Sequence, residues 1–286
     1  MVETIGNPLS WSAKAIAGSG RAAEDIATHL GSDARVSPRV HRIEVRDVFR
    51  ALRLGLDDMM RFRTDVVALV AVYPLIGVLL SVMAFEMALL PAVFPMAAGF
   101  VLLGPVAAIG MYALSKLHEA GESPSVSNMM QLLKARTTGP VIVLAGYLVA
   151  VFALWMVCAM WVYGATLGPE PPVSAGQFVN DALTTPRGWS MIWIGCGIGA
   201  IFAGLVLVTS LVSFPMLVDR PVGLPVAVTT SVRVAVKNPL VTAVWGATIA
   251  FGMFLGSLPI FIGLILVLPV LGHATWHLYR KAVSFD

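Results

Sequence analysis

The chain has 286 residues, of which 58% are apolar and only 12% charged. Soluble domains carry about 25% charged residues, so a water-facing surface of this size is excluded and lipid is the solvent for most of the chain. The net charge of +3 calls for no nucleic-acid partner, and two cysteines, Cys158 and Cys196, allow one bridge but no disulfide framework.

Residues 1–44 are rich in Ser, Ala, Gly and Arg, hold no apolar run, and read as a cytoplasmic tail with a weak helix over Trp11–Leu30. No secretory signal is expected, because the first long apolar run begins near Val66. Residues 45–65 read as an amphipathic interfacial helix. Extended back over the preceding residues, it places Arg39, Arg42, Arg46, Arg50 and Arg53 in an arc of roughly 80° at 3.6 residues per turn. Val45, Val48, Phe49, Leu52, Leu56 and Met59 fill the adjacent arc, and Glu44, Asp47 and Asp58 turn away from the apolar face. Such a helix lies in the headgroup boundary, so the five arginines are candidate contacts to anionic lipid headgroups.

Residues 66–282 read as an all-α, six-span transmembrane domain. The spans run at about 66–90, 92–115, 141–166, 189–218, 240–256 and 258–279. A crossing helix needs about 20 apolar residues, and these runs are continuous rather than alternating, which excludes a membrane barrel. Eighteen of the 19 Lys and Arg residues fall before the first span, between the second and third or fourth and fifth, or after the last. The other connections hold Arg187 alone. Basic loops stay cytoplasmic, so both termini are expected in the cytoplasm. Trp155, Trp161, Tyr163, Trp189 and Trp193 flank the outer connection 167–188 as an aromatic belt, and Trp276 and Tyr279 mark the inner end of the last span.

The segments before the odd spans resemble one another: Met60–Asp65, Leu133–Pro140 and Val234–Pro239. The even spans carry Pro105, Pro215 and Pro269 at matching places, and Gly104-Pro105-Val106 nearly repeats as Leu268-Pro269-Val270. Three copies of an interfacial helix followed by a transmembrane hairpin account for this pattern, in keeping with the internal repeats of many membrane folds.

Few residues carry chemistry. His273 and His277 stand at i and i+4, with His118 at a similar depth, a spacing that can share a metal or reach a haem, though no acidic partner is near in sequence. Cys158 and Cys196 share a depth, flanked by Met156 and Met160, and such sulfur ligands select Cu(I); they are also ordinary packing residues. Gly195/Gly199 and Ala200/Gly204 are small-residue pairs of the kind that bring helices close. Glu86 is the one clear charge within a span, near its outer end, so ion-coupled transport is disfavoured. No cofactor is expected, with haem and copper as the alternatives, and no catalytic set is visible.

Ser213-Phe214-Pro215-Met216-Leu217-Val218-Asp219-Arg220, followed by Ala227, Ser231 and Lys237-Asn238-Pro239, resembles the signature of an uncharacterised bacterial family of predicted six-pass integral membrane proteins. Leu268–Arg280 is similar to that family's last span, and the resemblance covers roughly residues 40–282. It implies a bacterial inner-membrane location and adds no activity. The expected function is non-enzymatic: an accessory or scaffold component associating with another membrane complex. The alternatives are a carrier or channel for a neutral or hydrophobic solute, and a haem- or metal-binding protein using the histidines.

Overall fold

The structure, a computed structural model, describes residues 38–61, 78–79, 82–83, 85–122, 138–258 and 261–285. The Trp11–Leu30 helix, most of the first span, the segment Leu133–Thr137 and the residue Pro259 lie outside them.

The described chain is helical apart from one two-stranded pair. Strand β1 (Pro38–Val40) precedes α1 (Val45–Arg61). Helices α2 (Leu90–Leu102), α3 (Gly104–Ala107) and α4 (Ile109–Glu119) follow. Next come α5 (Thr138–Thr166), α6 (Ala175–Thr184) and α7 (Pro186–Ser210). The chain ends with α8 (Ser213–Asp219), α9 (Leu224–Lys237), α10 (Pro239–Ser257), α11 (Leu264–Ala282) and β2 (Val283–Phe285).

Among the described residues, three helices are long and apolar enough to cross a bilayer: α5, α7 continued through α8, and α10. At 1.5 Å per residue α5 reaches roughly 44 Å, so it outruns a hydrocarbon core of about 30 Å. The run 92–115, expected as one span, is divided into α2, α3 and α4. Gly104-Pro105 sits at the break, where proline supplies no N–H and its ring crowds the preceding turn. Pro215 marks a similar break between α7 and α8, whereas Pro269 is carried inside α11 without one. The outer connection holds a helix that apolar patterning did not suggest, α6, capped by Ser174, whose hydroxyl accepts the Gln177 N–H at 3.1 Å.

Among the described residues, Arg61, Lys116, Arg220, Lys237 and Arg280 gather at one end, and much of the buried core lies there. Residues Ser213–Val218 of α8 are buried throughout, packed against α4 and α9. The most extensive contact in the molecule joins α1 to α11. Helix α1 starts with a reciprocal cap, Asp47 Oδ2 accepting the Glu44 N–H at 2.9 Å, and carries Arg61 in its last turn. It meets α11 along Val48, Ala51, Gly55 and Asp58. Gly55 makes the approach possible: a Cβ there would stand 2.6 Å from the Ala274 nitrogen and the Val270 carbonyl.

The strand pair ties the chain ends together. Pro38 faces Phe285 and Val40 faces Val283 in antiparallel register. Asn238, between α9 and α10, secures the join: its Oδ1 accepts the Ile43 N–H at 2.9 Å and its Nδ2 donates to the His41 carbonyl at 3.1 Å. Lys237 donates to the Val40 carbonyl at 2.7 Å. Residues 38–43 therefore belong to the folded unit. Arg39 stands on β1 and Arg42 on the connection after it, so of the five arginines only Arg46, Arg50 and Arg53 share the helical face expected of all of them.

Candidate functional site

The three histidines singled out from sequence converge on a carboxylate that sequence pattern had turned outward. Asp58 is on the docked face of α1 and is 4% exposed. Its Oδ2 accepts the Ser115 hydroxyl at 2.8 Å and His277 Nε2–H at 2.9 Å. Its Oδ1 accepts His118 Nδ1–H at 3.2 Å. Because Ser115 spends its proton on Asp58, it accepts from His273 Nδ1–H at 2.7 Å. Arg61 donates to His118 Nε2 at 3.3 Å. The network thereby selects the imidazole tautomers, which hydrogen bonding assigns. Burial pushes the Asp58 carboxyl up, but the hydrogen bonds from His277 and Ser115 and the nearby imidazoles outweigh it and hold the group below its ordinary range.

The imidazole nitrogens aim at carboxylate and hydroxyl oxygens rather than around a common point. Among the described residues, no group of three or more His, Cys, Asp or Glu side chains is placed to hold a metal ion. Cys158 is half-buried on α5, Cys196 is exposed on α7, and both thiols are free. Met156 packs against the core on α5, and Met160 follows one turn on, half-buried.

A second cluster adjoins the first. Asp219 Oδ2 accepts the Tyr279 hydroxyl at 2.7 Å and lies 3.5 Å from Arg280. Lys116 donates to the Val218 and Asp219 carbonyls at 3.1 and 2.5 Å; burial lowers its ammonium pKa, and Asp219 only partly counters this. Glu119 accepts from Trp276 Nε1 at 3.1 Å and pairs with Arg280 at 2.9 Å. Trp276 and Tyr279 are thus buried, hydrogen-bonded core residues rather than the interfacial anchors expected. Trp155 departs from the aromatic belt in the same way, 5% exposed and donating to the Pro95 carbonyl at 2.8 Å. Trp161, Trp189 and Trp193 are exposed at the opposite end, the last two stacked at 6.4 Å. Glu86 is exposed just before α2.

Both clusters draw on α4 and α11; α1 closes over the first, and the end of α8 contributes to the second. Residues 93–219 match the model of the family DUF2189, predicted integral membrane protein. The DUF2189 match runs from α2 to the end of α8 and includes Ser213–Asp219, part of the segment that carried the resemblance in sequence. It holds Ser115, Lys116, His118 and Asp219; Asp58 and the α11 histidines lie beyond it. No curated protein and no solved structure matches the chain. The match and the three apolar helices together describe an integral membrane protein with an all-α bundle.

Sequence reading missed Asp58 and Ser115 as members of the site. The available signal was the spacing of Ala51, Gly55 and Asp58 along α1, since a glycine inside an amphipathic helix marks a close approach.

Proposed function

We propose that this is a non-enzymatic accessory or scaffold protein of a bacterial inner membrane, whose basic, cytoplasmic end forms a rigid platform for a larger membrane complex. The observation that carries this reading is the closure of the Asp58 cluster. Both carboxylate oxygens accept from protein donors, which ties α1 to α4 and α11 and supports a structural role for the cluster. The platform so formed presents Phe49, Leu56 and Met60 as an exposed stripe on α1, bordered by Arg46, Arg50 and Arg53. That arrangement suits an anionic bilayer surface beside the partner.

Purification in mild detergent with native electrophoresis and mass spectrometry tests the reading. Co-migration with one defined membrane complex is the expected result. A lone monomer from membranes in which other complexes stay intact overturns it.

A further inference from the structure

A cavity of about 420 Å³ lies toward the membrane side of the polar clusters, between α2–α4, α7, α10 and α11. Its size is that of a small-molecule site. Among the described residues, no ionisable side chain other than the Tyr112 phenol lines it. Its walls include Gly104, Ala203, Gly204 and Trp245. The small residues on α7 are not explained by close helix packing: a Cβ at Gly204 meets no atom within 4 Å, and neither does one at Gly104 on the facing wall. At Gly199 and Gly256, by contrast, a Cβ would press on Trp155 at 3.1 Å and on Leu264 at 2.6 Å. The sequence expectation for small-residue pairs therefore holds for Gly199 but not for Gly204, where the absent side chain leaves room.

One polar atom in this wall is unaccounted for. Ser210 lines the cavity and is 3% exposed, yet its hydroxyl has no hydrogen-bond partner among the described residues. Several hydroxyls on the apolar helices back-bond to a carbonyl one turn earlier, as Thr248 does to Val244 at 2.8 Å and Thr275, also in the cavity wall, does to Leu271 at 2.7 Å. A buried hydroxyl left unpaired in an apolar wall is costly, and a ligand acceptor removes the cost. A wall without a basic side chain offers nothing to a free carboxylate or phosphate.

We propose that this cavity binds a neutral, chain-bearing lipid, its hydrocarbon against the α7, α10 and α11 walls and its single carbonyl accepting the Ser210 hydroxyl. The bilayer supplies such molecules at high local concentration. The Asp58 cluster shares helices α4 and α11 with the cavity but none of its lining side chains, so this site stands or falls independently of the scaffold reading.

The test is saturable binding of radiolabelled methyl oleate, a neutral ester with one carbonyl, to the full chain in detergent. The unaltered protein is expected to bind about one equivalent, displaced by excess unlabelled ester and not by oleate anion. Gly204→Leu fills the cavity and is expected to abolish saturable binding; Gly104→Leu, filling it from the facing wall, does the same should the first variant misfold. Gly195→Leu, on the same helix and also facing open space, is expected to bind normally. Ser210→Ala is expected to weaken binding roughly three- to tenfold, the size of one hydrogen bond. No saturable binding by the unaltered protein, or full binding by both filled variants, overturns the site. Equal affinity in Ser210→Ala overturns the carbonyl contact, and equal displacement by oleate overturns the neutral class.

Discussion

Asp58 shows how one residue's role depends on what lies opposite it. On a helical wheel it sits apart from the large apolar residues of α1, where an acid would meet water. In the fold it is buried under three imidazoles and a serine. Removing it leaves those donors buried without their acceptor, so Asp58→Ala is expected to cost roughly 2–4 kcal/mol, read as an earlier thermal transition in detergent. Its pH behaviour has a definite sign. The folded carboxyl titrates below its ordinary value of 3.8, so its contribution is complete above that value and fades as pH falls through the lower, folded one. Acidification below the ordinary value of 3.8 is expected progressively to loosen α1 from α11, seen as proteolysis within residues 45–61. Asp58→Asn is expected to flatten that dependence; an unchanged acid profile would count against the carboxylate as its source.

At the scale of elements, the docking of α1 decides more than its amphipathicity. Its large apolar residues were the natural candidates for burial, yet Phe49 is 65% exposed and Leu56 48%, while the smaller Val48, Ala51 and Gly55 make the contact. Small residues allow backbones to approach, which gains dispersion and desolvation along the whole helix pair. Gly55→Val is therefore expected to destabilise the protein by about 1–3 kcal/mol through overpacking against the α11 backbone. The same substitution at Gly195, facing open space, is expected to leave the melting temperature unchanged. Asn238 joins two segments that are distant in sequence, residues 41–43 and the α9–α10 junction. Asn238→Ala leaves the buried Ile43 N–H unsatisfied and is expected to cost about 1–3 kcal/mol, with faster hydrogen exchange across β1 and β2. The breaks at Gly104-Pro105 and before Pro215 are also decisions at this scale, since each ends a helix that hydropathy alone carries through.

For the whole molecule, the strand pair constrains topology. Pro38–Val40 and Val283–Phe285 can pair only if both lie at one end of the bundle, which supports the proposal of an even number of crossings between them. The Lys and Arg asymmetry adds a direction. Reporter fusions after Val40 and at the C-terminus are expected to give a fluorescent cytoplasmic reporter and an inactive periplasmic one, with the opposite pattern in the α5–α6 connection. Matching signals at the connection and the termini would refute that topology. The all-α membrane class and the apolar runs that become α5, α7 and α10 were legible in the sequence, because hydropathy follows from composition along the chain and needs no knowledge of partners. The gathering of His118, His273 and His277 was half legible, as a shared depth without an acceptor. Asp58, Ser115, the Asn238 clamp and the open space beside Gly204 and Ser210 were decided only by tertiary structure. Each depends on which residues from distant segments meet, and a lone sequence carries the period of a helix but not the identity of the surface that the helix will face.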